Sequence, residues 1–319
     1  MQPADPTPPF GPGSVSIRLY PHNELAADGI VRELCGQAAL ALRSGFDGVM
    51  TSEHHGGFAG YLAQPLQTAT FVLEENAAGW VAAAPLLLPL RPTVLVAEEV
   101  AWLQARHPGR VGLGVAIGAL PLDFSAAGVD ADDAVRSFGS ELPRLVAMLR
   151  GERLDPVGGD PALRACRDHP VPVLSAAVSS GAARRAARSG AGILLEGMSD
   201  AGRLARVTEA FHEAGGTGSK VLIRRVWLGA VPGELVRRQR AVYDSYAGAA
   251  GSFGADETIA SHDVTEIVDR LGDVVRTTGA DALNLRVQLP GMAPEAVREQ
   301  IEAVGTEVVD RVRAVWPVR

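Results

Sequence analysis

Seven histidines are spread along the chain, and two of them stand side by side. They fall in the run Thr51-Ser52-Glu53-His54-His55-Gly56-Gly57, with a carboxylate directly before the pair. Histidine exchanges protons near neutral pH, and a neighbouring acid can fix its tautomer. Glu53, His54 and His55 are therefore candidates for proton-transfer chemistry, set against the plainer reading of a polar strand end with solvated rings. In an extended segment alternate side chains face opposite sides, which groups Glu53 with His55 and sets His54 apart. A metal-hydrolase reading of Glu53 and His55 finds little support: such sites need at least three well-placed ligands, and no HxH follows the first expected strand. No metal is expected.

Other residues carry weaker signals. Ser179-Ser180-Gly181 opens a helix-forming stretch, where hydroxyls and free backbone N–H groups suit a phosphate; a simple N-cap is the alternative. His22 lies just past the first expected strand and Glu196 at the end of the sixth, so both are candidate substrate contacts. Arg225, Arg286 and Gln288 are polar residues in apolar strands. An inward-facing arginine in a barrel needs a partner, either an anionic ligand or a buried carboxylate. Trp80 and Trp102 read as packing residues. The two cysteines, Cys35 and Cys166, form no CxxC or CxxH pattern, and Cys35 reads as a small buried hydrophobe.

Short apolar segments alternate with longer amphipathic ones. The expected strands are Val15–Tyr20, Phe46–Ser52, Val81–Leu88, Val111–Ile117, Val171–Ala177, Gly192–Glu196, Lys220–Leu228 and Ala282–Gln288. The expected helices are Asp28–Ser44, Pro65–Glu75, Val94–Arg106, Ala131–Arg150, Gly181–Arg188, Asp200–Ala214, Gly233–Ala247, Thr265–Thr277 and Pro294–Val315. Gly112 and Gly114 in the fourth strand suggest close approach of a backbone or a ligand. Gly151–Pro170, rich in proline and glycine, reads as an exposed excursion, and Gly248–Gly254 as a small-residue loop. Eight strand–helix units in about 300 residues imply an α/β fold, a single (β/α)8 TIM barrel over residues 15–319. An open doubly wound sheet is the runner-up, but the first turn, Tyr20-Pro21-His22-Asn23, is no phosphate cradle.

The formal net charge of −7 argues against nucleic acid or an anionic membrane as a general partner. No apolar run reaches the ~18 residues of a membrane span. The segment from Trp80 to Leu90 is short and interrupted by Pro85 and Pro89. Residues 1–14 lack a basic region followed by an apolar one, so a disordered proline-rich lead is expected rather than a signal peptide. A cytoplasmic protein is the expectation.

Beyond these readings, several motifs occur in order. Glu53-His54-His55 is followed by Gln64-Pro65, then by Leu88-Pro89 and a helix with Ala97-Glu98 and Leu103. Gly109-Arg110 and Gly112-Leu113-Gly114 come next, and Ser179-Ser180-Gly181 leads into Ala186-Ala187-Arg188-Ser189-Gly190. In this order and spacing the chain resembles the luciferase-like flavin-dependent monooxygenases and oxidoreductases, from about Val15 to Trp316. The resemblance implies reduced FMN, or alternatively a deazaflavin, at the C-terminal mouth of the barrel. It implies a separate flavin reductase, a small-molecule substrate and a homodimer. His54 matches the family's catalytic histidine, which assists proton transfer at the flavin, with Glu53 and His55 as its supports. Ala84-Pro85 matches a cis peptide lying against the flavin ring, with an ordinary trans bond as the alternative. Gly118 and Ser179-Ser180-Gly181 would also contact the cofactor. One departure stands out: Ile117 sits where the family often has an arginine near the flavin phosphate. That departure keeps open a non-catalytic barrel that binds flavin or another ligand.

Overall fold

In the computed structural model the described residues are 7–58, 60–250 and 258–316, with side chains excluded over 242–250. Eight parallel strands close into a barrel: β1 (Val15–Arg18), β2 (Gly48–Thr51), β3 (Trp80–Leu87), β4 (Val111–Ala116), β5 (Val173–Ala177), β6 (Gly192–Leu195), β7 (Lys220–Leu228) and β9 (Ala282–Arg286). β9 pairs with both β7 and β1, which completes the ring. A ninth strand missing from the sequence reading, β8 (Ile259–Ser261), pairs only with the far end of β7. At three residues it is too short for alternation to reveal.

The helices are α1 (Ala27–Arg43), α2 (Pro65–Glu75), α3 (Thr93–Arg106), α4 (Pro121–Ala127), α5 (Ala131–Met148), α6 (Pro161–Ala165), α7 (Ser180–Arg188), α8 (Ala201–Glu213), α9 (Gly233–Ala250), α10 (Val264–Thr278), α11 (Pro294–Val304) and α12 (Asp310–Val315). A π turn, Gly305–Val309, joins the last two. A Cβ at Gly305 would lie 2.5 Å from the Ser44 Cβ. Glycine there lets the final helix lie directly on the end of α1, where a side chain would clash. Among the described residues, no helix is long and apolar enough to cross a membrane.

Three expectations change. The excursion at 151–170 is not wholly exposed loop. It holds α6, capped by Asp160, and buries Leu163 and Cys166. α4 falls where no helix was expected, because its seven residues give too few turns for a periodic signal. The expected loop at Gly248–Gly254 is helical through Ala250, and its remainder lies outside the described residues. Elsewhere element ends shift by a few residues.

The expected disordered lead is also corrected from residue 7 onward. Gly11 N–H donates to the Pro8 carbonyl and Ser14 N–H to that of Gly11, making tight turns. Phe10 is fully buried, its ring edge-on to Trp80 with centroids 5.2 Å apart. A Cβ at Gly112 would lie 2.7 Å from that ring, and one at Gly48 only 2.1 Å from the Trp80 indole. Glycines in β2 and β4 thus open the floor of the barrel to two aromatic rings. Above them lie Met50, Ala82, Ala84, Leu174, Leu194, Val221 and Ala282, forming an apolar interior layer. Phe10 adopts φ 62°, a conformation bulky residues avoid; burial of its ring offsets that cost. Both thiols are buried, and burial pushes Cys35 and Cys166 up to about 11, which leaves them unreactive as nucleophiles.

Phe10→Ala should destabilise the protein by about 3–5 kcal/mol, the usual cost of deleting a buried aromatic ring. Urea denaturation followed by circular dichroism measures it. A change within about 0.5 kcal/mol, typical of a surface site, would show that the floor does not depend on this residue.

Candidate active site

The strand β2 runs directly into the Glu53-His54-His55 segment. Glu53 N–H donates to the Pro85 carbonyl (3.0 Å), extending the β2–β3 pairing by one step past the strand. Gly56 and Gly57, at φ 67° and 73°, then reverse the chain. The returning loop pairs back: His54 N–H donates to the Leu62 carbonyl (3.0 Å) and Leu62 N–H to that of Ser52 (3.3 Å). Gly60 N–H is held by Asn23 Oδ1 at 2.7 Å. The segment is therefore fixed on both sides.

Glu53 is completely buried. Its carboxylate accepts from Leu87 N–H (2.6 Å), from His55 Nε2 (2.9 Å) and from the Arg91 guanidinium. A buried charge is tolerated when paired and hydrogen-bonded in this way. Burial still dominates and holds its pKa above the ordinary carboxylate value, opposed by Arg91, the Leu87 amide and His55.

His54 faces the other way, as strand alternation suggests, toward α4. Its Nδ1 lies 2.7 Å from Asp123 Oδ2, and Asp123 Oδ1 accepts from His55 N–H at 2.8 Å. Asp123 is fully buried in the first turn of α4. A carboxylate only accepts, so the shared proton sits on Nδ1 and Nε2 becomes the exchanging nitrogen. Among the described residues Nε2 has no hydrogen-bond partner, and the side chain is 20% exposed. The ring packs edge-on to Tyr61 (4.4 Å) and beside Phe58 (5.1 Å). The ring of His54 is thus held directly by Asp123, while Glu53 pairs with His55 and with Arg91. Sequence reasoning missed Asp123 and Arg91. The available signals were a lone acid in Leu120-Pro121-Leu122-Asp123-Phe124 and an arginine just before Pro92.

The remaining expected site residues divide. The Ala84–Pro85 bond is cis, and the Pro85 carbonyl meets Glu53. Gly118, at φ 98°, lies against Phe124 of α4, where a Cβ would come within 3.2 Å of the ring. Ile117 packs against the core. Ser179 is the N-cap of α7, its hydroxyl accepting from Ala182 N–H at 3.3 Å. Ser180 and Gly181 begin that helix. Glu196 folds back onto its own turn, accepting from Met198 N–H. His22 departs from the expected substrate role: it is buried, with Nδ1 on Glu24 (3.0 Å) and Nε2 on Gln37 (2.8 Å), so both nitrogens are used internally. Trp102 is half-exposed, its indole N–H donating to Asp160, and is not a core residue. Among the described residues, no group of three or more His, Cys, Asp or Glu side chains could hold a metal ion.

A family model for luciferase-like monooxygenases matches residues 16–315. An uncharacterized protein of Sinorhizobium fredii, y4wF, is 25% identical over 229 residues. That match covers 68% of this chain and 66% of the relative, so the chain spans just under two thirds of the relative's length. Among solved structures, the monooxygenase RslO1 from Streptomyces bottropensis is 19% identical, with a TM-score of 0.76 over 93% of this chain and 99% of its own. The oxygenating constituent of 3,6-diketocamphane monooxygenase from Pseudomonas putida, in complex with FMN, is 17% identical, with a TM-score of 0.71 over 96% and 100%. An F420-dependent secondary alcohol dehydrogenase, in complex with an F420–acetone adduct, is 14% identical, with a TM-score of 0.72 over 94% and 98%. At such identities the likeness is one of fold.

Two tests follow from this geometry. Asp123→Ala strands the His55 N–H and the His54 Nδ1 proton, and should cost about 1–3 kcal/mol per unsatisfied group. Asp123→Asn should cost less in stability yet shift the His54 ring tautomer, read from its ¹⁵N chemical shifts. An unchanged tautomer in both variants would show that Asp123 does not set it. For Glu53, the raised native pKa means that the folded state holds the proton more tightly than the unfolded one. Stability relative to Glu53→Gln should therefore fall as pH rises from about 4.3, the ordinary glutamate value, through the native pKa, and then level off. Urea titrations at a series of pH values check the sign; a gap that widens in favour of wild type over that window contradicts it.

Proposed function

The chain belongs to the luciferase-like monooxygenase family, and from that premise we propose that it is a flavin-dependent oxidoreductase of monooxygenase type. In this reading His54 moves a proton at the barrel mouth. The observation that carries it is the Asp123–His54 contact at a strand's C-terminal end, where barrels of this kind place their chemistry. Asp123 holds the ring still and keeps the proton on Nδ1. Nε2 is left to give or take a proton on the exposed side. The Glu53–Arg91–His55 group positions the loop that carries His54, and the Phe58 and Tyr61 rings beside it limit water.

Reduced FMN is the proposed cofactor, delivered by a separate reductase since the sequence has no dinucleotide fingerprint. The residues fit such a group. Among the described residues a Cβ built on Gly181 would meet only Ser179 Oγ, at 3.9 Å, which leaves room beside the first turn of α7. Ser180 and the N–H groups of that turn would hold the phosphate through hydrogen bonds and the helix dipole. This would serve where Ile117 supplies no cation. Ala84, Pro85 and Gly118 would meet the ring system. Bound reduced flavin supplies the electrons that activate dioxygen.

Anaerobic titration with reduced FMN, and in parallel with F420, tests the proposal. Reduced FMN should bind with a Kd in about the micromolar range. His54→Ala should keep that affinity and slow oxygen consumption by about 10²–10⁴-fold. Binding of F420 alone would move the chain to the deazaflavin-dependent reading. Flavin binding without turnover would make it a binding barrel, turnover indifferent to His54 would overturn the role given to that residue, and binding of neither cofactor would overturn the proposal.

A further inference from the structure

A cavity of about 400 Å³ opens between the turn Leu88–Leu90 that follows β3, the start of α3 and one face of α5. Its polar lining is Arg91, Thr93, Ser137, Glu141 and Arg144, and Leu88, Val129 and Phe138 are among its apolar walls. Neither His54 nor any residue of α7 is part of its wall. Pockets for small organic molecules run from about 300 to 1,000 Å³, so its size suits such a ligand.

The polar side of this cavity is rich in donors. α3 begins at Thr93, and no side chain caps its N-terminus. Leu95 and Val96 N–H donate to the Pro92 carbonyl at 3.0 and 3.3 Å, whereas those of Thr93 and Val94 have no acceptor among the described residues. Thr93 is 5% exposed, and its hydroxyl too lacks a hydrogen-bond partner among the described residues. A buried hydroxyl so placed takes its partner from what fills the cavity. Arg91 gives Nη2 to Glu53 and keeps Nε and Nη1 without a partner among the described residues. The acid paired with Arg144 is Glu141, 3.6 Å from its Nη1 and so beyond hydrogen-bond length. In charge the two arginines are matched by Glu53 and Glu141. Hydrogen-bond donors are what the cavity holds in excess.

We propose that this cavity binds a small phosphate monoester, its phosphoryl group on the N-terminus of α3 between Arg91 and Arg144 and its organic part against Leu88, Val129 and Phe138. A phosphoryl group brings three acceptor oxygens, one more than a carboxylate. Free N–H groups at a helix start suit it through both hydrogen bonds and the dipole. The guanidinium forks add donors that match pairs of its oxygens. Glu141 opposes the ligand by like charge and by drawing on Arg144. Arg91 belongs to this cavity and to the Glu53 pair at once, so the phosphate sits one side chain away from the candidate active site. Nothing in this binding depends on flavin or on turnover.

Isothermal titration calorimetry of the full chain with phenyl phosphate, phenol and inorganic phosphate tests the proposal. Phenyl phosphate should bind about tenfold more tightly than phenol, the worth of one charge-assisted hydrogen bond. It should bind about tenfold more tightly than inorganic phosphate as well, through burial of its ring. Thr93→Val should weaken it about tenfold, and Arg144→Gln about threefold, since that charge is partly exposed. Glu141→Gln should strengthen it about threefold, and the surface variant Arg184→Gln should leave it unchanged. Should Thr93→Val fail to fold by circular dichroism, the opposite signs of Arg144→Gln and Glu141→Gln carry the test. No binding of phenyl phosphate overturns the proposal, as do effects of Arg144→Gln and Glu141→Gln that vanish or share a sign. Inorganic phosphate binding as tightly as phenyl phosphate overturns it too, leaving an adventitious ion only. Weakening by Ser179→Ala, with Thr93→Val and Arg144→Gln silent, would overturn it by placing the phosphoryl group on α7.

Discussion

A carboxylate sealed from water, that of Asp123, ties the short helix α4 to the loop after β2. One oxygen takes the His54 ring and the other the His55 backbone N–H. A buried carboxylate left without donors would be costly, so α4 and the loop after β2 constrain each other. The short helix is worth little by itself. Its place is dictated by the apolar contacts of Phe124 and by this one acid. The same loop is anchored on its other side by Glu53, which meets Arg91, His55 and the Leu87 amide. Two buried acids on opposite sides leave the histidine between them with little freedom to turn.

The barrel and the site were not equally legible in the sequence. Long amphipathic helices and apolar strands announce themselves by period, and the order of β1 to β7 and β9 could be read that way. The Glu53-His54-His55 cluster was visible because reactive side chains at a strand end are conspicuous. Its partners were not. Asp123 lies 69 residues from His54 along the chain, on a helix too short to show periodicity. Arg91 is reached only because β3 and its following turn sit beside β2. Pairings of this kind are made by register between strands, and register is a property of the closed sheet rather than of any segment. His22 shows the converse. Its position past a strand suggested a ligand contact, yet Gln37 and Glu24 take both nitrogens.

Polarity inside the barrel is graded. At the N-terminal end the interior is aromatic and aliphatic, with Phe10 and Trp80 filling space that glycines in β2 and β4 leave open. One tier up, Ser16 and Asn284 introduce hydrogen-bonding groups. The next carries Arg18 of β1 and Arg286 of β9, with Arg225 of β7 level with Arg286. Each step along β1 and β9 by two residues thus raises the demand for a polar partner, and does so at the end where loops can supply one.

The plug formed by Phe10 gives this gradient a further consequence. A barrel whose floor is filled by packed rings offers no passage along its axis. Traffic with solvent is thereby confined to the loops at the opposite end, and it is confined by a residue in a stretch of chain that precedes the first strand.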